Sequence, residues 1–280
     1  MKILSYGEIM WDIYPDKKCL GGAQLNFAAH IVKCNEKAYL LSALGNDSLA
    51  NEALSEIKKL KINDKYIKII KDKQTGQCVV SLDKNKIPTF TILRDKAYDY
   101  LTINEEVECF DALAFGSLPL RSQNNIDLLN KLIDSKKIKT IYCDLNLRAP
   151  FYNRKTIDYC IKVSDILKIS EVELDYICKS LLKVKTNDYN EAIKLLANQY
   201  SNLKIVLLTV GEEGSYAYDV KKEKLHYCKA NKVKVVSTVG AGDSYGATFL
   251  VNYLKGLDIL TCMKLASIRS SQVVSSISSV

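Results

Sequence analysis

Residues 236–246 read Val-Ser-Thr-Val-Gly-Ala-Gly-Asp-Ser-Tyr-Gly and lead into a long run of small and apolar residues. Two glycines, Gly240 and Gly242, permit positive φ angles and let the backbone approach a ligand closely. Where a helix begins, its free N–H groups and its dipole favour an anion. Asp243 would repel a phosphate there unless it accepts the proton of an attacking hydroxyl. The alternative is an Asp-Ser N-cap on an ordinary helix.

This stretch resembles the C-terminal signature of the ribokinase-like (PfkB-type) carbohydrate kinases. That signature is usually Asp-Thr-x-Gly-Ala-Gly-Asp, followed by Ser or Thr and an aromatic residue. The match runs from Thr238 to Tyr245, and Ser237 replaces the usual Asp. By resemblance, four residues receive catalytic roles: Asp243 as the base, and Gly240, Ala241 and Gly242 as N–H donors to the oxyanion of the transferring phosphoryl group.

Size and composition indicate one globular α/β protein. The chain has 280 residues, and its 48% hydrophobic and 26% charged content is ordinary for a globular domain. The sequence has no apolar run of about 18 residues, and its first apolar segment is too short for a signal peptide. The nine scattered cysteines indicate thiols in a reducing cytoplasm, and the two distant histidines argue against zinc. The net charge of +8 is spread along the chain and interleaved with acidic residues, which argues against nucleic-acid binding.

A candidate sugar site lies near the N-terminus. Asp12 stands among large apolar residues, and Gly21-Gly22 precedes an apolar helix that contains Asn26. Polyol hydroxyls need both acceptors and donors, which Asp and Asn side chains provide. The pattern Gly-Glu-x-x-Trp-Asp with Leu-Gly-Gly-Ala-x-x-Asn-Phe-Ala is similar to bacterial fructokinase-type members. The resemblance implies sugar contacts from Asp12, Gly21, Gly22 and Asn26, whereas a turn and a helix start are the plain alternative.

Strands without intervening helices predict a separate small sheet. Residues 38–60 predict strand, turn and helix, as in a parallel sheet, but residues 66–94 contain three β-rich runs. The polar residues 83–86 predict a hairpin turn between two of them. In the resembling family such a sheet is a lid over the sugar, so we expect lid segments at about 12–20 and 66–99. Tyr98 and Asp99 resemble a sugar-binding lid element, although a surface loop is an equal alternative.

Strand–helix alternation resumes after residue 110. Strands are predicted at 112–115 and 139–143, with helices at 122–135 and 153–163. The second strand ends in Asp-Leu-Asn-Leu-Arg, and alternate residues of an extended segment project to one side. Arg148 could stabilise charge on a γ-phosphate, as the matching family motif also implies. The alternative is an Asx turn with a surface arginine.

Two further motifs indicate the nucleotide side. The family's Asn-x-x-Glu falls on residues 170–173, where Ser170 replaces Asn and Glu173 becomes the magnesium candidate. A capping box explains the same residues. Residues 209–214 resemble the family's nucleotide-binding turn, which implies ATP contacts from Thr209, Gly211 and Gly214; alone, such a glycine pattern is weak.

The motifs together predict a single ribokinase-like domain over residues 1–280. The expected fold is an α/β three-layer sandwich, with a mostly parallel central sheet and a small projecting β-sheet lid. The expected activity is ATP- and Mg²⁺-dependent phosphorylation of a primary hydroxyl, with fructose as the leading substrate; a monovalent cation and a homodimer through the lid are open. Alternatives are ribose, a 2-keto-3-deoxy sugar acid, a nucleoside, or a non-catalytic sugar-binding regulator. The last helix is expected at 260–279, and the chain looks short there beside the family.

Overall fold

A computed structural model describes residues 1–82 and 88–276. Within these residues the chain forms thirteen strands and eight α-helices. The strands are β1 (Lys2–Tyr6), β2 (Met10–Ile13), β3 (Lys18–Gly21), β4 (Lys37–Gly45), β5 (Ile67–Ile70), β6 (Gly76–Leu82), β7 (Pro88–Ile92), β8 (Ala112–Gly116), β9 (Ile141–Asp144), β10 (Ile166–Ser170), β11 (Ile205–Thr209), β12 (Gly214–Asp219) and β13 (Lys224–Lys229). The helices are α1 (Ala23–Lys33), α2 (Ser48–Lys59), α3 (Gln123–Asp134), α4 (Arg154–Lys162), α5 (Glu171–Ile177), α6 (Tyr189–Gln199), α7 (Ala241–Leu254) and α8 (Ile259–Val274).

The main sheet has the order β13-β12-β11-β10-β9-β8-β1-β4-β5 in the described part of the chain. The strands from β11 to β5 run parallel, and only β12 and β13 pair antiparallel. Crossover helices must cover both faces of such a sheet, so its strands are apolar on both sides. In β1, Ile3 and Leu4 point to opposite faces and both are buried.

Two hydrophobic cores separate three layers. Ile3 belongs to the core that α1, α2, α7 and α8 cover, whereas Leu4 belongs to the core under α3, α4, α5 and α6. These helices supply their apolar stripes to the sheet, as amphipathic helices of α/β proteins do. The three-layer α/β fold is therefore confirmed.

A second sheet has the order β3-β2-β6-β7. β2 pairs antiparallel with β3 and parallel with β6, and β6 pairs antiparallel with β7. The Trp11 side chain ties this small sheet to α2, because its Nε1 donates to the Leu49 carbonyl at 3.0 Å. The hairpin turn expected at 83–86 lies outside the described residues.

The predicted lid boundaries are too wide. Residues 67–70 form β5, which extends the main sheet in parallel register with Ser42–Gly45 of β4. The reason is the buried Tyr66 ring, which packs against Tyr39 and Phe110 and holds the segment on the main core. Residues 97–99 form a short 3-10 helix, and Asn125 Nδ2 at the start of α3 donates to the Tyr98 carbonyl. The small sheet is therefore confined to β2, β3, β6 and β7.

The C-terminal helix ends earlier than expected, at Val274 rather than 279. The Val274 carbonyl accepts the N–H groups of Val236 at 2.8 Å and Ser237 at 3.2 Å, which anchors the loop before α7. Residues 277–280 lie outside the described residues. None of the helices in the described ranges combines the length and apolar character needed to cross a bilayer.

Candidate active site

Two adjoining cavities lie at the carboxyl ends of the parallel strands, where open α/β sheets bind ligands. The first, of about 520 Å³, is lined by the small sheet, the start of α1 and the start of α7. The second, of about 840 Å³, is lined by residues after β9 and β10 and by α5. The cavities have a shared wall, formed by Asp144, Asn146, Leu147, Arg148, Ala149, Lys168 and Gly242.

Asp243 occupies the first turn of α7 and lines the first cavity. The helix begins at Gly240, whose φ of 80° is in the left-handed region that glycine tolerates. Burial raises the pKa of Asp243 to about 6, and the nearby Asp144 charge adds to the rise. A carboxylate with this pKa is largely ionised at neutral pH and still basic enough to accept a proton. The N–H of Ala241 donates to the Thr238 carbonyl at 3.3 Å, so it is already engaged. Gly240 and Gly242 line the cavity and are the better candidates to donate N–H groups to an anion.

Helix α1 brings Asn26 to this carboxylate. Asn26 Nδ2 donates to Asp243 Oδ2 at 2.9 Å, and its Oδ1 has no hydrogen-bond partner among the described residues. Gly22 precedes the helix with a φ of 108°, and a Cβ there would lie 2.5 Å from the Glu8 carbonyl oxygen. Such an approach requires glycine. Gly21 is outside both linings, and its Cβ position is an ordinary 3.5 Å from Asp12 Oδ2.

Glu8 is a cavity residue that the sequence analysis did not assign. Its Oε1 accepts the N–H of Ala23 at 3.1 Å, so it caps α1 from the end of β1. Its Oε2 is buried and has no partner in the described part of the chain. Burial raises the pKa of Glu8 to about 7, and the charge of Asp243 contributes. The available signal was a carboxylate directly after a buried strand, at the ligand-binding end of the sheet.

Asp12 enters the first cavity from the small sheet. It pairs in register with Cys78 of β6, which also lines the cavity. Burial raises the pKa of Asp12 to about 6, while the positive charge of Arg148 opposes the rise. The structure therefore brings Asp12, Asn26, Arg148 and Asp243 together around one cavity.

The loop that carries Arg148 differs from its predicted conformation. Asn146 has a φ of 43°, so residues 144–148 are not an extended segment with side chains on one side. The left-handed residue turns the chain, and Asp144, Asn146 and Arg148 nevertheless all line the shared wall. Asn is among the residues that best tolerate this conformation.

Lys168 is the second cavity residue that was not assigned. It lies in the parallel register directly opposite Asp144, and its Nζ donates to both Asp144 oxygens at 2.9 and 2.8 Å. Burial alone would lower the pKa of Lys168, but the charge and hydrogen bonds of Asp144 raise it above its ordinary value. A Cβ on Gly242 would lie 3.2 Å from Lys168 Nζ, so this ammonium group adjoins the start of α7. A lysine within the apolar run 166–169 was the missed signal, since lysine is rarely fully buried unless paired.

The second cavity contains some of the residues predicted to bind the nucleotide. Ser170 and Thr209 line it. Gly211 and Gly214 are in neither lining, so their assignment to the cofactor stays a prediction. Gly211 begins a short 3-10 turn, and a Cβ on Gly214 would lie 2.2 Å from the Cys228 carbonyl oxygen of β13. Packing between strands therefore explains Gly214.

Glu173 lines the second cavity, but both of its carboxylate oxygens already accept hydrogen bonds from backbone N–H groups. Its Oε1 accepts the Leu147 N–H and its Oε2 accepts the Ser170 N–H, both at 2.7 Å. The second bond is half of a capping box at the start of α5, as the alternative interpretation predicted. No cluster of three or more His, Cys, Asp or Glu suited to a metal occurs in the described ranges. Glu173 therefore does not belong to a direct magnesium ligand set within the described residues.

Tyr98 and Asp99 are in neither cavity lining, so the structure does not bring them together with the other predicted sugar residues. Asp99 accepts from Arg121 Nε at 2.7 Å and Nη2 at 2.8 Å, in a buried ion pair. The Tyr98 ring is fully buried with the Arg121 guanidinium over it. These residues anchor the 3-10 segment to the main body.

Comparisons with known proteins identify the family. An uncharacterized sugar kinase of Pyrococcus horikoshii is 29% identical over 272 residues, covering 92% of this chain and 81% of that protein. Fructokinase-2 of Zea mays is 24% identical over 277 residues, covering 90% and 80%. An ATP-dependent 6-phosphofructokinase of Thermoanaerobacterium thermosaccharolyticum is 26% identical over 285 residues, covering 94% and 84%.

Solved structures share the fold. The P. horikoshii kinase in complex with ATP has a TM-score of 0.82 at 26% identity, covering 99% of this chain and 93% of that chain. The fructokinase of Vibrio cholerae, in its fructose-, ADP- and calcium-bound form, has a TM-score of 0.85 at 20% identity, covering 99% and 94%. The family profile of the pfkB carbohydrate kinases matches residues 2–280, and the chain therefore belongs to the pfkB family of carbohydrate kinases.

Proposed function

We propose that this protein transfers the γ-phosphoryl group of ATP to a primary hydroxyl of a small sugar, with fructose as the leading substrate. The observation that carries the proposal is the position of Asp243. It lies at the start of α7, in the first cavity, beside Gly242 of the shared wall. Fructose is favoured because fructokinases occur among both the sequence relatives and the structural neighbours.

In the proposed reaction, the sugar binds in the first cavity and ATP binds with its phosphates at the shared wall. Asp12 and Asn26 bind sugar hydroxyls, and Asp243 accepts the proton of the attacking hydroxyl. The sugar oxygen bonds to the γ-phosphorus as the bond from that phosphorus to the ADP oxygen breaks. Arg148, Lys168 and the N–H groups at the start of α7 balance the negative charge on the transferring group. The small sheet acts as a lid that excludes water.

The direct test is ADP release from ATP and magnesium with a panel of sugars, sugar acids and nucleosides. We expect release that depends on a sugar and a mass increase of one phosphate in that sugar. The control is the Asp243→Asn protein, which should release almost no ADP. A panel with no phosphorylated product, with sugar binding intact, would favour a non-catalytic sugar-binding role.

We also propose a homodimer that forms through the small sheet, and a cytoplasmic location. Val79 is an exposed apolar residue of that sheet and alternates with the cavity-facing Cys78, and an exposed apolar side chain favours protein contacts. The nine cysteines are free thiols, which suits a reducing compartment. Light scattering that finds a monomer at high protein concentration would exclude the homodimer.

A further inference from the structure

The first cavity is acidic, and its positive charges lie at one end. Glu8, Asp12 and Asp243 line it, together with Asp144 of the shared wall. Among the described residues of the lining, the cations are Arg148 and Lys168, and both belong to the shared wall. Both therefore adjoin the place where the transferring phosphoryl group is expected, and the charge of Arg148 also reaches Asp12 on the small sheet.

Lys168 is bound by a carboxylate, and Arg148 lies near several. Lys168 donates to the two oxygens of Asp144. Arg148 acts electrostatically on Glu8, Asp12 and Asp243, because its charge opposes the pKa rise of each of these groups. A second anionic group in the cavity would compete for the same positive charge.

The described residues of the small sheet that line the cavity include no cation. Apart from Asp12, the sheet's described lining residues are the thiol Cys78 and three apolar residues, Met10, Phe90 and Ile92. Ile92 pairs in register with Cys78, which pairs with Asp12, so the three share the cavity face of the sheet. An anionic group on the sugar would meet Asp12 and apolar side chains there.

We infer that the first cavity accepts neutral sugars and rejects sugar phosphates and sugar acids. This inference rests on the proposed function and narrows its substrate class. Sequence similarity does not decide the matter, because a fructokinase and a 6-phosphofructokinase match the chain at 24% and 26% identity. The charge arrangement decides it, since an unpaired like charge in a partly buried site strongly disfavours binding.

The test is calorimetric binding in the presence of a non-hydrolysable ATP analogue. The analogue occupies the shared wall, so a phosphate on the sugar must lie toward the lid. We expect fructose to bind, and fructose 6-phosphate and 2-keto-3-deoxygluconate to bind at least about 100-fold more weakly, the size expected for one like-charge contact. Either anionic sugar binding as tightly as fructose, or no neutral sugar binding, would overturn the inference. Selective fructose binding without ADP release from ATP would instead contradict only the proposed function.

A variant pair locates the selectivity in the cavity. Ile92→Arg adds a cation to the cavity face of the lid, and we expect the affinity ratio of fructose 6-phosphate to fructose to rise at least tenfold. Ile69→Arg is the matched control, since Ile69 is an exposed isoleucine on β5 and outside the cavity lining. Equal ratios in the two variants would contradict the proposed location, and the wild-type measurement decides the inference if Ile92→Arg does not fold.

Discussion

At the scale of single residues, Asp243 is the group on which turnover should depend. Asp243→Asn keeps the size of the side chain, and it removes no capping hydrogen bond, because Gly240 is the N-cap of α7 and no side chain caps it. The Asn26 hydrogen bond can also persist, because an amide oxygen still accepts. We expect kcat to fall by about 10²–10⁴, the usual contribution of a general base, while sugar and ATP still bind. Turnover measured beside calorimetric binding checks this, and near-normal turnover would show that Asp243 is not the general base.

The contributions of the Lys168–Asp144 pair to stability and to catalysis can be tested separately. Removing one partner of a buried ion pair leaves an unpaired charge, so Lys168→Met or Asp144→Asn should destabilise the fold by about 3–5 kcal/mol. The double variant removes both charges and should recover most of that stability. If Lys168 balances phosphoryl charge, the double variant should still turn over at least about 100-fold more slowly. Denaturant unfolding and kcat, measured on all three variants, make the test.

The control is the other buried ion pair described above, Arg121–Asp99, which lies in neither cavity lining. Arg121→Met with Asp99→Asn should follow the same stability pattern without the large loss of turnover. Recovery of turnover in the Lys168–Asp144 double variant would mean that this pair serves folding alone.

At the scale of elements, the packing of the start of α1 against the end of β1 should depend on Gly22 and not on the adjacent Gly21. Gly22→Ala puts a Cβ 2.5 Å from the Glu8 carbonyl at a φ of 108°, so the strand end and the helix must separate. We expect a loss of roughly 2 kcal/mol or more in unfolding free energy and a raised KM for the sugar, because Asn26 moves with the helix. Gly21→Ala is the matched control: its Cβ meets nothing closer than 3.5 Å, and stability should change far less. Equal destabilisation by the two variants would contradict this explanation.

The loop before α7 should show little dependence on potassium. The resembling family signature usually has Asp where this chain has Ser237, so a carboxylate that could bind a monovalent cation is missing here. Ser237 Oγ accepts the Val239 N–H at 3.3 Å, and the Val239 side chain has no oxygen to offer. We expect activity to change by less than about twofold when potassium replaces a bulky organic cation at constant ionic strength. A several-fold rise would show that the backbone binds the cation without those side chains.

At the scale of the whole molecule, the periodic parts of the sequence predicted the fold and the contacts between distant segments did not. Strand–helix alternation predicts the parallel sheet because each βαβ unit is local. Residues 66–70 were assigned to the wrong sheet because tertiary contacts determine which strand an edge strand pairs with. Here the packing of Tyr66 determines it. The motifs likewise pointed to Asp243, Asn26 and Asp12. Lys168 and Glu8 belong to no motif, and their sequence signals do not show which cavity they line until neighbouring strands are in register. Tyr98 and Asp99 look like ligand residues in sequence, but Arg121 binds Asp99 and covers the Tyr98 ring.

The acidic cavity should also set how the stability of the whole protein depends on pH. Burial raises the pKa of Asp12 and Asp243 from 3.8 to about 6, and that of Glu8 from 4.5 to about 7. For a carboxyl with a raised folded pKa, ionisation favours unfolding. Its contribution to stability is therefore complete below about pH 4 and is lost as the pH rises through 6 and 7.

We expect the variant that combines Glu8→Gln, Asp12→Asn and Asp243→Asn to gain stability relative to the wild type by roughly 2 kcal/mol between pH 5 and 8, after allowance for cavity water. Urea unfolding of both ligand-free proteins at these two pH values measures the gain. Comparison with the wild type cancels groups outside the cavity, such as His226, whose lowered pKa acts in the opposite direction. A stability difference that does not change with pH would show that water or the neighbouring cations relieve the three carboxylates in the free enzyme.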